Sequence, residues 1–284
     1  MRLFFLCILL LSLIAGEAQE SKRRAAADWQ HSIVTLEVAR KQYDYYQPWS
    51  SRTRRLQKTG IVLGEHQILT TADELFDRTL IRLQKGGRGR WWIGELTWID
   101  YHANLALVTT GEAEFWRELK PTAFGSALPT DGTLQVLRWH EGNLENRKAE
   151  FTRFAVRESQ LSAVNHVALE ADSDIQGAGW SEPITANSHI VGLLASQEGR
   201  ACSAIPASFI QAILQARQKD TYHGLGYFHF YWQPAENPAS LARLKLTGEP
   251  RGVLVISVPD RLDGCDPVLK PQDIILRIDG FDLD

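Results

Sequence analysis

Asp172-Ser173-Asp174-Ile175-Gln176-Gly177-Ala178-Gly179-Trp180-Ser181-Glu182-Pro183-Ile184 is the stretch on which the fold turns. It is punctuated by Asp, Gly and Pro, and it separates two strand-like runs, 166–170 and 189–195. Upstream, segments rich in β-branched and aromatic residues recur at 33–38, 60–63, 67–71, 79–83, 90–99, 105–109, 134–139 and 148–157. Many short strands with turn residues between them predict a sandwich or barrel rather than alternating strands and helices.

Downstream of the quoted stretch one helix stands out. Ser208 with Gln211 three residues on reads as a capping box. Phe209, Ile210, Ile213 and Leu214 then give an apolar face at helical spacing. Residues 216–222 are mostly polar and read as a linker, and from His223 a second strand-rich segment runs to Asp284.

Three landmarks recur in order. The first is Thr59-Gly60-Ile61-Val62-Leu63, a short turn, then Ile68-Leu69-Thr70-Thr71-Ala72-Asp73. The second is Asp100-Tyr101-His102-Ala103-Asn104-Leu105-Ala106-Leu107, and the third is the quoted stretch, followed by Ser203-Ala204-Ile205-Pro206. Over essentially the whole chain these resemble the HtrA/Deg family of trypsin-like serine peptidases. The resemblance implies a chymotrypsin-like double β-barrel over 28–215. It puts the family's catalytic histidine on Asp73, the orienting aspartate on Asn104 and the nucleophilic serine on Trp180. The glycines that normally follow the serine become Ser181 and Glu182.

All three chemical groups are therefore expected to be missing. An indole has no oxygen with which to form an acyl-enzyme. A carboxylate at Asp73 is too weak a base for a serine hydroxyl at neutral pH. Trp180 and Glu182 are expected to fill the space in which backbone amides would meet an oxyanion. A one-residue gap gives an alternative, in which Ser181 is the nucleophile of an active endopeptidase with His66 or His102 as base. A third reading of Asp73 and Asn104 is that they hydrogen-bond each other and hold the two barrels together.

In the last segment, His223-Gly224-Leu225-Gly226-Tyr227-Phe228, the strand at 252–259, and Leu269-Lys270-Pro271-Gln272-Asp273 with Ile278-Asp279-Gly280 resemble PDZ domains. The resemblance implies a partial PDZ-type α+β domain over 223–284. Backbone amides at Gly224, Leu225, Gly226 and Tyr227 would receive a peptide's terminal carboxylate while the peptide adds as a strand. The pattern stops before the helix that forms the other wall of such a groove. Two readings stay open: a piece of a longer protein, or a degenerate domain.

Met1-Arg2, the apolar run 3–15 and the small residues Gly16 and Ala18 read as a secretory signal peptide over 1–18. The run is shorter than the roughly 20 residues a membrane span needs. Export to the periplasm or outside the cell is the expectation, with no membrane span after cleavage. Cys202 and Cys265 then remain, read as two free or buried thiols, with a bridge between them left open. The net charge of −3 and the lack of a concentrated basic face speak against nucleic acid. Eight scattered histidines without a paired spacing speak against a metal, and no cofactor motif is present.

Arg52, Arg54, Arg55 and Lys58 are read as a basic tract in a loop, beside Tyr43, Tyr45, Tyr46 and Trp49 in the stretch 42–55. Those aromatics are either an interface or packed onto their own barrel. By the same resemblance Trp29 is a candidate subunit contact in a homotrimer. The expected function is a pseudopeptidase of envelope protein quality control. It would bind peptide C-termini or unfolded proteins, alone or beside an active relative.

Overall fold

The computed structural model describes residues 29–283, apart from 126–127, 129–131, 160, 163, 220–221, 227, 246–248 and 261–267. The expected signal peptide at 1–18, Tyr227 of the carboxylate loop and Cys265 lie outside the described residues.

Six strands close the first barrel: β1 (Ile33–Tyr43), β2 (Ser51–Leu63), β3 (Gln67–Thr70), β4 (Arg78–Lys85), β5 (Trp91–Asp100) and β6 (Leu105–Thr109). Their order around the barrel is β1-β2-β3-β6-β5-β4. Six more close the second: β7 (Thr133–His140), β8 (Asn143–Glu158), β9 (Asn165–Ser173), β10 (Pro183–Ala186), β11 (His189–Glu198) and β12 (Ala201–Pro206), ordered β10-β11-β12-β9-β8-β7. The short helix α1 (Ala113–Trp116) follows the first barrel, and α2 (Ala207–Arg217) follows the second. The chain is mostly β, as the many short strands and turns predict, and its two closed barrels are the double barrel that the resemblance implies.

Closure follows from alternation along the strands, which gives each barrel one apolar interior. Val34, Leu36, Val62, Ile68, Leu83, Val108 and Phe115 fill the first, and Leu134, Leu169, Ile184, Leu194 and Ala204 fill the second. A third cluster lies between the barrels. It takes Ile33, Ile61, Leu69, Leu105 and Leu107 from one, Leu137, Ile190, Leu193 and Ile205 from the other, and Ile210 and Ile213 from α2. Two faces of the same strands are thus buried at once, and the loops at their ends meet along the seam.

Four sequence expectations change. Residues 42–55 are a hairpin rather than one loop: β1 and β2 pair without interruption from Ile33 opposite Ile61 to Tyr43 opposite Ser51, with 44–50 as the connection, so the arginines lie on β2. Strands β10 and β12, which composition alone does not mark, complete the second barrel. The capping box also fails. Pro206 ends β12 and stands at the N-cap of α2 with no side-chain cap bond, which puts Ser208 inside the first turn, where it cannot cap. Trp29 is buried among the residues between the barrels instead of standing out as a contact.

Chain contacts divide the molecule into two compact units, 1–225 and 226–284. The boundary falls inside the predicted carboxylate loop, with Leu225 packed on the cluster between the barrels. In the second unit β13 (Tyr231–Pro234), β14 (Val253–Ser257) and β15 (Ile274–Ile275) form a sheet in that order. Helix α3 (Pro238–Arg243) lies between β13 and β14 in sequence, capped by the side chain of Asn237, which accepts from the Ala239 amide. The pair β16 (Arg277–Ile278) and β17 (Phe281–Asp282) ends the described chain.

Gly60 shows how tight the first barrel is. A Cβ there would stand 2.4 Å from both Ile68 Cγ2 and Leu36 Cδ1, in fully buried surroundings. Gly60→Ala is expected to lower the urea midpoint with the slope unchanged, a loss of about 1–3 kcal/mol.

Candidate functional site at the seam of the barrels

The three landmark positions converge where the barrels meet. Thr70 ends β3 with its hydroxyl donating to the Thr59 carbonyl at 3.0 Å, and Thr71, Ala72 and Asp73 follow as a buried turn. Asn104 arrives from the other side. Asp100 accepts from the Ala103 amide (2.9 Å) and from the Tyr222 hydroxyl (2.6 Å), which tightens the turn before it. Asn104 takes a left-handed backbone at φ 53°, a conformation Asn tolerates better than most residues. Its Oδ1 accepts from the Asp73 amide at 3.0 Å. This bond ties two loops of the first barrel, and the bonds that cross the seam are others. Thr59 N donates to Trp180 O at 2.8 Å, and Thr71 N donates to Ser181 Oγ at 3.1 Å.

Beneath Asp73 lies a residue that the sequence reading placed in a loop. Lys58 sits on β2, on the inward face it shares with Gly60 and Val62 by alternation, and it is 2% exposed. An ammonium has three N–H donors, and here each has an acceptor: Thr71 Oγ1 at 2.8 Å, Asp73 O at 2.7 Å and Asp73 Oδ1 at 2.7 Å. Burial lowers its pKa, while the Asp73 carboxylate pulls the other way. The Trp180 ring centre is 6.0 Å from Nζ, so one face of the indole closes the cation off. The signal for Lys58 is the period of two running back from Val62.

The loop that carries Trp180 and Ser181 is folded onto β11 by one side chain of that strand and one of its own. Gln197 accepts from the Ala178 amide at 2.8 Å and donates to the Ile175 carbonyl. Oε2 of Glu182 accepts from the Gly179 amide at 2.9 Å and the Trp180 amide at 2.7 Å. Ser181 N donates to Leu194 O at 3.0 Å, and Leu194 N to Glu182 O at 2.8 Å. Four consecutive amides, from Ala178 to Ser181, are thus bonded within the chain. Successive amides of this kind make a nest for an anion, and here two of them are taken by Oε2 of the chain's own Glu182. Gly179 at φ 103° permits the close approach, since a Cβ would be 3.0 Å from the backbone of Ser196 and Gln197.

Ser181 itself is fully buried at φ 72°, a strained conformation for a residue with a Cβ. Neither predicted base reaches it by a hydrogen bond. His66 is exposed and stacks on Trp116 at 4.9 Å, and His102 lies exposed on its turn. Burial drives the Glu182 carboxyl above the ordinary range, although the Trp180 and Gly179 amides and Arg138 oppose it.

Next to Asn104 a cleft of about 520 Å³ opens on the second barrel, lined by Arg153, Arg157, His166, Glu170, Cys202 and Ser203 among others. Its groups are mostly engaged or quiet. Glu170 accepts from Arg153 and Arg157. Burial pushes the Cys202 thiol up to about 11, leaving it protonated, and among the described residues Cys202 has no disulfide partner. Burial likewise lowers the His166 pKa, and its Nδ1 has no partner among the described residues. Of the expected peptide-binding residues, Gly224 has the left-handed φ of 103° that a tight loop needs, and it falls with Leu225 in the first unit. Among the described residues no group of three or more His, Cys, Asp or Glu is placed to hold a metal, and no helix is long and apolar enough to cross a membrane.

No family model matches the chain. It is similar to two Arabidopsis thaliana proteins, putative protease Do-like 13 and mitochondrial protease Do-like 4. Identity is 21% over 257 residues and 22% over 276, covering 88% and 93% of this chain and 52% of each relative. The chain spans about half the length of the curated relatives it matches. Among solved structures, the HtrA-type protease AlgW with a decapeptide superposes with a TM-score of 0.67 at 14% identity, covering 91% of this chain and 85% of that one. The active form of a protease from M. tuberculosis gives 0.55 at 14%, covering 71% and 86%. These likenesses support a relationship to the HtrA-type, Do-like proteases and fix the fold as theirs.

Asp73→Ala strands the Lys58 ammonium and is expected to cost about 3–5 kcal/mol in urea unfolding, whereas Lys58→Met with Asp73→Ala recovers most of it. Glu182 gives a pH signature. The folded chain holds its proton more tightly than the unfolded chain. Its contribution is therefore greatest below the ordinary value of 4.5 and falls as pH rises from there toward the raised folded value. Glu182→Gln is expected to remove that part of the fall when the midpoints of both proteins are compared across pH.

Proposed function

We propose that this chain is an exported, non-proteolytic binding protein on an HtrA-type scaffold, which captures peptide C-termini or unfolded segments in envelope protein quality control. The observation that carries the proposal is the occupied state of the seam. An acyl-transfer site needs a hydroxyl within reach of a base and free amides for the oxyanion. Here the amides from Ala178 to Ser181 are bonded internally. Ser181 Oγ accepts from an amide, and a lysine–aspartate pair fills the place the resemblance gives to the base. Trp180 at the nucleophile position offers no oxygen.

Binding is assigned to the second unit. Strand β13 is an edge of its sheet and exposed along its length, and Gly226 lies just upstream in the same unit. An extended peptide adds to such an edge through main-chain bonds, with its carboxylate held by loop amides. A structural neighbour carries a bound decapeptide, which supports a peptide as the ligand. Export rests on the order of charge, apolar run and small residues at 1–18.

The chain is expected neither to degrade a labelled unfolded protein nor to react with a serine-directed phosphonate. Fluorescence polarisation is expected to show binding of peptides with a free C-terminus and about tenfold weaker binding of the same peptides amidated. Turnover that disappears in Ser181→Ala would show an active endopeptidase instead, and equal binding of both peptide forms would remove the carboxylate loop.

A further inference from the structure

The β1–β2 hairpin outgrows its barrel. β4 accompanies β1 only as far as Arg40, while the β1–β2 pairing continues to Tyr43 opposite Ser51. The projecting end is built rather than loose. Asp44 N donates to Ser50 O, Gln47 N to Asp44 O, Ser50 N to Gln47 O, and Tyr46 N to Asp44 Oδ1. On this ordered tip Tyr45, Tyr46 and Trp49 are 96%, 95% and 84% exposed, with Tyr43 beside them. Residues 43–50 contain no Leu, Ile, Val or Met. The exposed rings are therefore all amphipathic, each an apolar body with an O–H or N–H at its edge.

Charge is arranged behind the rings. Residues 40–55 hold Arg40, Lys41, Arg52, Arg54 and Arg55 against Asp44 alone, in a chain whose net charge is −3. Arg40 and Arg54 face each other across the strands and share Glu74, at 2.9 and 3.8 Å. Lys41 and Arg52 have no carboxylate partner among the described residues. Arg52 pairs with Gln42, one rung behind Tyr43, and Arg54 lies three rungs behind. At about 3.4 Å per rung the cations stand roughly 3–10 Å behind the rings. The polar layer of one bilayer leaflet is about 5–8 Å thick. Rings at the boundary of headgroups and chains would thus put the cations level with the phosphates.

We propose that the tip of the β1–β2 hairpin is a docking site for an anionic lipid surface, with Tyr45, Tyr46 and Trp49 seated at headgroup level and Lys41, Arg52 and Arg54 on the lipid phosphates. Tyr and Trp are the side chains enriched at that depth, and basic residues beside them add the attraction to anionic lipid. One weak insertion gives only reversible binding, and pairing it with a basic patch makes attachment stable. A protein partner would need a pocket of its own to receive these rings, and that occupant is an outcome of the test. Single-stranded nucleic acid would need a basic groove between the rings, whereas these cations lie behind them. The proposal is independent of the peptide site in the second unit.

The test uses the chain without residues 1–18, whose apolar run would itself enter lipid, and which retains every described element. Sedimentation with phosphatidylcholine vesicles, with and without phosphatidylglycerol, is expected to show binding to the anionic vesicles that weakens with salt. Tyr45→Ser, Tyr46→Ser and Trp49→Ser together are expected to weaken it about tenfold or more, with the circular dichroism spectrum unchanged. Lys41→Glu with Arg52→Glu is expected to remove most of the salt dependence. No binding to anionic vesicles, or binding undiminished in the aromatic variant, overturns the proposal. So does an aromatic variant that loses only an unfolded client or an RNA homopolymer while the vesicles are ignored.

Discussion

The seam between the barrels depends on one buried ammonium. Lys58 is cut off from water, so each of its N–H groups needs an acceptor at a fixed place, and all three come from the turn at Thr71–Asp73. That requirement holds the turn in place. The turn in turn presents Thr71 N to Ser181 and Asp73 N to Asn104. Replacing such a pair with apolar residues of similar size is often neutral or better for stability. Its consequence here is selection: any arrangement that displaces the Thr71–Asp73 turn leaves a charge without its partners.

The loop on the other side follows the same logic with the opposite sign. Glu182 is a buried carboxylate whose Oε2 is answered by two amides of its own loop, and Gln197 takes the amide before them. Amides that point toward a shared centre form a receptor for negative charge. Glu182 makes that receptor self-occupied, and burial keeps its proton held more tightly than usual. The apolar cluster between the barrels supplies the support, because Ile33, Ile61 and Leu193 bring the two barrels close enough for these short polar contacts to span them.

The strands that position the seam were legible where side chains alternate or run apolar, as at Ile33–Val38 and Leu105–Thr109. They were illegible where both faces are wet. Residues 51–57 pair as strand only because β1 extends beside them, and nothing in Ser51-Arg52-Thr53-Arg54-Arg55 carries a period of two in hydrophobicity. Strand β12 was hidden for another reason: Ala201-Cys202-Ser203-Ala204 holds no β-branched or aromatic residue, and it is strand because it pairs with β11 through a tight hairpin on one side and with the more distant β9 on the other. Ser208 was misread because a capping pattern is local, whereas the start of α2 is set by where β12 ends at Pro206.

By itself the pattern of turn glycines, prolines and short apolar runs determined a mostly-β chain, a sandwich or a barrel, and the double barrel was what the resemblance of the three landmarks implied. The sequence also determined the residue types at the three landmark positions, and with them the absence of an oxygen on Trp180. Only the tertiary structure decided what those positions touch. Lys58 lies fifteen residues from Asp73, and Thr71 is 110 from Ser181. A buried charge is matched by whatever the packed chain brings within about 3 Å, and that proximity is a property of the closed barrels rather than of any local run of residues.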